Sequence, residues 1–206
     1  DPLPTDNAGT YAWTVPDAIG TTLRVRITHT TDAAVVDTSD ANFKIVGSLT
    51  LTAPNGDPDG AGPLTEERWT VGTAQNVTWT KVGSIAIVKL EFSTDGGTNY
   101  PTIIVASTAA GTGAYAWTIP DSIGTNRRVR VTDASDSTVL DTANGNFTVM
   151  GGFTIGVPNG GEVWTVASAQ TITWTTAGTV ANVKLDYSTD GGTTYPSAIT
   201  ATTLNT

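Results

Sequence analysis

The sequence has no cysteine and a single histidine among its 206 residues. Without cysteine there is no disulfide framework and no thiol chemistry. With one histidine, zinc sites and Ser/His/Asp or Cys/His relays lack their parts. Basic residues are few: 10 Lys and Arg stand against 19 Asp and Glu, a net charge of −9. Neutralising phosphates takes clustered cations, so nucleic acid and anionic membrane are excluded as partners. No apolar run approaches the roughly 18 residues of a membrane-spanning helix, so no membrane insertion is expected. No stretch shows helical periodicity.

What the sequence does contain is itself, repeated. Tyr11-Ala12-Trp13-Thr14-Val15-Pro16-Asp17 returns 104 positions later as Tyr115-Ala116-Trp117-Thr118-Ile119-Pro120-Asp121. Ser93-Thr94-Asp95-Gly96-Gly97 returns 95 positions later as Ser188-Thr189-Asp190-Gly191-Gly192. The offsets differ because Gly56 to Arg68 is longer than the matching Gly160 to Val163. Self-similarity at a long fixed period signals an array of like modules. Residues 48–151 form one complete copy, 1–47 match only its back half, and 152–206 match only its front half. The chain therefore reads as half, whole and half, cyclically shifted. No signal peptide is visible, as expected of a segment that begins mid-module.

Within the complete copy, alternation marks short strands. Ser48 to Ala53 ends at the turn signal Pro54-Asn55-Gly56; Trp69 to Val71 and Gln75 to Thr80 follow. Ile87 to Ser93 puts Val88, Leu90 and Phe92 inward and Lys89 and Glu91 outward. Thr94-Asp95-Gly96-Gly97 is a hairpin turn. Strands are expected at Thr102 to Ser107, Ala114 to Ile119, Arg128 to Val131, Thr138 to Leu140 and Phe147 to Val149. Seven or eight short strands in about 100 residues is the pattern of an immunoglobulin-like β-sandwich. The fold class expected is all-β, in tandem immunoglobulin-like modules. The linkers Val46-Gly47 and Met150-Gly151-Gly152 are so short that module-to-module geometry should be stiff.

Pro158-Asn159-Gly160-Gly161-Glu162-Val163-Trp164, Gln170-Thr171-Ile172-Thr173-Trp174 and Gly9-Thr10-Tyr11-Ala12-Trp13-Thr14-Val15-Pro16 carry a family likeness. They resemble the Ser/Thr-rich, GPI-anchored fungal cell-wall family, whose β-sandwich domain is linked to β-glucan assembly, and similar modules in bacterial surface arrays. The resemblance implies an extracellular or cell-surface sandwich and brings no catalytic residue. The Ser/Thr-rich tail and anchor signal of the fungal members are not in this sequence. The acidic, Thr-rich, cysteine-free composition points to the same location.

Candidate sites are few. Asp57 and Asp59 resemble half of a calcium loop, and Asp133, Asp136 and Asp141 cluster after a strand, but calcium takes six to eight oxygens and EF-hand spacing is absent. An acidic turn is the simpler account, and no cofactor is expected. No carboxylate pair is marked for glycoside hydrolysis, so no enzymatic activity is expected. Trp69 and Trp164 follow the variable loop and are the candidates for stacking on a cell-wall or surface glycan. Trp13, Trp79, Trp117 and Trp174 sit at alternating strand positions and read as core. His29 stands where the other copy has Asp133 and reads as a solvent-facing residue. Arg24, Arg26, Arg128 and Arg130 form short ladders that pair across strands with Glu91 or Asp186. Asn76 and Asn146 fit the N-glycan acceptor pattern but lie within expected strands.

A half-sandwich alone would expose apolar faces and unpaired edges. The expected function is therefore structural: a repeat of an extracellular filament, sheath or stalk whose partner is a copy of itself, head to tail. Residues 152–206 of one repeat are completed by residues 1–47 of the next, through separate subunits or a continuous giant array. Trp13, Val15, Val25, Ile27, Trp174, Leu185 and Tyr187 are the expected assembly core. An adhesin or carbohydrate-binding module is the alternative, and spacer domains of a secreted enzyme are a third.

Overall fold

The structure, a computed structural model, describes residues 9–56 and 67–205. It is all-β, with one 3-10 turn at Ala110–Thr112 among the described residues. The first part of the chain carries β1 (Gly20–Leu23), β2 (Arg26–Thr28), β3 (Val36–Thr38) and β4 (Phe43–Ile45). The central part carries β5 (Ser48–Ala53), β6 (Arg68–Thr70), β7 (Ala74–Val82), β8 (Ile87–Ser93), β9 (Thr102–Ala109), β10 (Ala114–Thr118), β11 (Gly124–Asp133), β12 (Leu140–Thr142) and β13 (Phe147–Met150). The last part carries β14 (Gly152–Val157), β15 (Thr173–Ala177), β16 (Asn182–Tyr187) and β17 (Ser197–Leu204).

The central strands make two sheets. One has the order β10-β7-β5; the other runs β6-β13-β11-β8-β9, with β12 also paired to β11. All central pairings are antiparallel except β6 with β13, which is parallel. Alternation decides which side chains face the space between the sheets. Leu49, Leu51, Val77, Trp79 and Trp117 come from the first sheet, and Val88, Leu90, Phe92, Val129, Val131, Phe147 and Val149 from the second, into one buried cluster. The central unit is thus a β-sandwich with a closed core.

Four local details depart from the sequence reading. β12 takes Leu140–Thr142 rather than Thr138 to Leu140, because the chain still turns at Thr138 and Val139. β11 runs for ten residues, well beyond Arg128 to Val131, because its first part pairs with β13 and its second with β8 and β12. Glu91 alternates outward, yet it is buried at 6% exposure. Trp69, a candidate for glycan stacking, is also buried at 6%. The parallel register of β6 on β13 turns its ring into the core, where it meets Phe147 at 5.0 Å and Trp117 at 6.1 Å between centroids.

The flanking parts repeat the central pairings selectively. β14 pairs with β15 as β5 does with β7, including the same bulge, with Ile155 opposite Trp174 where Leu51 stands opposite Trp79. β16 and β17 repeat β8 and β9. β1 with β4 and β2 with β3 repeat β11 with β13 and β11 with β12. Three central ladders have no flanking counterpart among the described residues: β7 with β10, β8 with β11, and β6 with β13. In each, one strand corresponds to residues of 9–47 and the other to residues of 152–205.

A segment is extended and ordered as a strand only where its amides find a partner. Residues 10–14 correspond to β10 and residues 163–165 to β6, and neither is a strand. β15 starts at Thr173 because its four missing leading residues match the part of β7 that bonds β10. β1 and β2 are separated at Arg24 and Val25, where β11 leans on β8 and continues unbroken.

Candidate assembly interface

The unpaired edges border an uncovered core. Of the expected assembly residues, Trp13 is 50% exposed and Ile27 69%, whereas their central counterparts Trp117 and Val131 are at 8% and 0%. Val15, Val25 and Tyr187 are exposed as well. Trp174 and Leu185 are half-buried; both line a groove of about 290 Å³ with Phe153, Ile155, Ile172 and Val183. The central residues matching those six are Leu49, Leu51, Val77, Trp79, Val88 and Leu90, all within the closed core. The groove is lined by the residues whose central counterparts close the core between the two sheets.

The ring cluster of the central core is divided in the same way. Its contacts join Trp69 and Phe92 to Trp117 and Phe147, at centroid separations of 5.0 to 6.2 Å. All four contacts cross from the front half of the repeat to the back half. In the flanks the corresponding rings are Trp164 and Tyr187 on one side and Trp13 and Phe43 on the other. Complete burial of an aromatic or large aliphatic side chain stabilises by about 1.5–3 kcal/mol. Edge-to-face geometry adds about 0.5–1.5 kcal/mol per pair. Trp164, at 41% exposure, is accessible to a ligand in this chain, but its central equivalent faces inward.

An ion cluster follows the same division. Glu91 Oε2 accepts from Arg130 Nε and Nη2 at 3.0 and 2.8 Å, and Lys89 Nζ lies 2.8 Å from Oε1. The Arg130 guanidinium sits over the Tyr100 ring, 4.3 Å from its centroid. Burial raises the Glu91 pKa, but the hydrogen bonds from Lys89 and Arg130 and their charges outweigh it and leave the carboxyl lowered. Asp186, Lys184 and Tyr195 occupy the matching places in the last part of the chain, with Lys184 Nζ 3.0 Å from Asp186 Oδ2. The matching arginine, Arg26, belongs to the first part and is exposed.

The joints to the central sandwich repeat each other. At the first, Asp17 Oδ1 accepts from the Ser84 amide at 3.0 Å and the Ser84 hydroxyl at 2.9 Å. At the second, the Asp121 carboxylate accepts from the hydroxyl of Thr179, at 2.5 Å, and from its amide. Asp17 matches Asp121 and Ser84 matches Thr179 in the repeat. The linker glycines are closely packed, Gly47 against backbone and Gly151 first against a side chain. A Cβ on Gly47 would meet the Val82 carbonyl oxygen at 2.6 Å, and one on Gly151 would meet Val180 Cγ2 at 2.5 Å. Lys44 adds an exposed ion pair to Asp136 at the first joint. The sequence reading anticipated short, stiff linkers but missed these carboxylates, although Pro-Asp-x-Ile-Gly recurs at both joints.

The remaining candidates do not converge. Asp57 and Asp59 lie outside the described residues, as does most of the expanded loop. Asp133 accepts from Ser135, Asp136 from Thr138, and Asp141 from the Leu51 amide, each serving its own turn or strand. His29 is exposed and caps its turn by accepting the Asp32 amide on Nδ1. Asn76 points outward from β7, while the Asn146 side chain accepts from Arg128 and donates to Asn126.

No protein-family model matches the sequence, and no match is found among curated proteins. The central sandwich is therefore the reference against which the flanks are measured.

Proposed function

We propose that the chain is one structural repeat of an extracellular filament, sheath or surface stalk. It is built from immunoglobulin-like sandwiches in cyclic shift and joined head to tail by completion of split sandwiches. The carrying observation is the set of three ladders found in the central unit and absent from the flanks among the described residues. In each, one strand corresponds to the first part of the chain and the other to the last part. Completion places Tyr11 to Thr14 along Thr171 to Ile172 and their neighbours, Val25 to Thr28 along Tyr187 to Lys184, and Ile45 opposite Trp164.

The flanks cannot complete each other within one chain in this arrangement. The first flank is held at Ser84 and the second abuts Val71, at opposite ends of the nine-residue β7. A strand of that length spans about 30 Å. Completion therefore takes another copy, through a heterologous contact that does not close and so propagates a fibre. Because the two joints share one geometry, successive sandwiches follow by one repeated step, which gives a regular helical rise. The resemblance to cell-wall and surface modules supports the extracellular setting. Separate subunits and a continuous polypeptide of many repeats use the same interface.

Electron microscopy of the full chain against a variant lacking residues 1–47 tests the reading. Fibres are expected from the full chain alone, and fibres of normal length from the deletion variant would overturn it. Intact mass of the assembled material under denaturing conditions then separates the two forms. A value near 21.2 kDa means subunits held noncovalently; a far larger mass means a continuous array.

A further inference from the structure

The two joints also differ in what lies beside Gly83 and Gly178. At the second, a Cβ on Gly178 would meet Val71 Cγ2 at 3.0 Å, Asp121 Oδ1 at 3.1 Å and Ile123 Cδ1 at 3.2 Å. At the first, a Cβ on the matching Gly83 would meet Asp17 Oδ1 at 3.2 Å and Ile19 Cδ1 at 3.2 Å, then Gly47 Cα at 3.5 Å. The aspartate and isoleucine are in place, and the third contact is the Gly47 backbone rather than a valine methyl. A hollow of about 260 Å³ occupies the position, lined by Val15, Ile19, Ile45, Val46 and Val82 among others.

The residue matching Val71 is Val166, which lies on the last part of the chain and is 94% exposed, against 8% for Val71. Its turn already has the docked shape. Ser168 donates its amide to the Thr165 carbonyl at 3.0 Å, as Thr73 does to Thr70 at 3.1 Å. Ala167 holds a φ of 67° where Gly72 holds 79°. A non-glycine residue keeps that left-handed conformation against a steric cost. In the central sandwich this turn is fixed from the opposite side: Val71 donates its amide to Met150 O and Gly72 to Ile119 O, both at 2.9 Å. The corresponding acceptors for Val166 and Ala167 are the carbonyls of Val46 and Val15, at the rim of the hollow.

We infer that the hollow at the first joint is a socket for Val166 of a second copy of this chain. Docking of that copy completes the sandwich and wedges the joint beside it in the same event. The joint at Gly47 is then stiff in the assembly and looser in the free chain. This rests on the completion reading and adds a site to it.

Cysteine pairs in an otherwise cysteine-free chain test the two separately, with a short bis-maleimide and two variants mixed under assembly conditions. Ala12→Cys with Thr171→Cys reports completion alone, since their central counterparts Ala116 and Asn76 face each other across the ladder on the solvent side. Ile19→Cys with Val166→Cys reports the socket, and Val36→Cys with Val166→Cys is the control. All substituted positions are exposed in the free chain, so the variants keep its fold. Crosslinked dimer at least tenfold above control is expected from both test pairs. Crosslinking through Ala12 and Thr171 without Ile19 and Val166 overturns the socket and leaves completion standing. Control-level yield from both pairs overturns both.

Discussion

The central sandwich and the flanks carry the same sequence pattern in two circumstances, with and without the strands that close the core. Pairings internal to a half are kept, down to the bulge between Ile155 and Val157 that repeats the one between Leu51 and Ala53. Pairings that cross between halves are lost, and residues 10–14 and 163–165 lose their strand structure with them. Local propensity is matched in both places, so partner supply decides. A β-branched, aromatic-rich segment fits a pleated surface when one is offered.

The largest test of the comparison places one substitution at matching positions. Val131→Asp buries a carboxylate in the closed core, where Val131 is fully enclosed. The cost is about 4 kcal/mol or more, enough to unfold the central sandwich. Ile27→Asp, at a site two-thirds exposed, changes unfolding of the free chain by no more than about 0.5 kcal/mol and abolishes fibres. Chemical denaturation followed by electron microscopy reads both effects. Equal destabilisation of the free chain by the two variants would break the correspondence.

Much of this comparison was legible in the sequence. The two offsets, 104 and 95, place Trp13, Val15, Val25 and Ile27 over Trp117, Ile119, Val129 and Val131, and Trp174, Leu185 and Tyr187 over Trp79, Leu90 and Phe92. All seven of these central counterparts are buried. Trp69 was harder, because the expanded loop before it suggests a surface and nothing local reveals a parallel partner 80 residues downstream. Glu91 obeys its alternation, but side-chain length decides its burial: Lys89 and Arg130 reach across its strand face and cover it. The Asp17 and Asp121 contacts depend on how consecutive units are oriented, which strand periodicity does not encode.

An intermediate effect is expected at the linkers. Gly47→Ala drives a methyl into the Val82 carbonyl oxygen and the Ile85 side chain, at 2.6 and 2.7 Å. Backbone does not yield as a side chain does, so the joint opens at a cost of about 1–3 kcal/mol. Gly151→Ala meets the Val180 methyl first and the Ala177 carbonyl only at 3.1 Å, and a rotamer change relieves most of that contact. Small-angle scattering should show a larger change in maximum dimension for Gly47→Ala than for Gly151→Ala, with the central melting transition unmoved in both. The reverse order would show that the contacts to the Val82 and Ala177 carbonyls do not govern the two joints.

The smallest effect belongs to two carboxylates whose own hydrogen-bond partners all lie within one half. Asp95 and Asp190 occupy the two copies of the Ser-Thr-Asp-Gly-Gly turn, one in the closed sandwich and one in the open flank. The Asp95 carboxylate is held by the Asn99 amide and side chain and then by Ser93; Asp190 is held by the Ser188 hydroxyl and then by Thr194. Both pKa values fall from the ordinary 3.8 to about 2. A carboxyl whose folded pKa is depressed supports its turn at any pH above the unfolded value. That support is lost as pH falls through the window from 3.8 to about 2. Carboxyl NMR titration should find both groups depressed to about 2 and unchanged on assembly. The back half touches this turn only elsewhere, through Asn126 and Arg127 in the central copy. A large shift of Asp190 alone on assembly would therefore mean that completion alters the carboxylate's own hydrogen bonds, and the division between kept and lost contacts would have to be redrawn there.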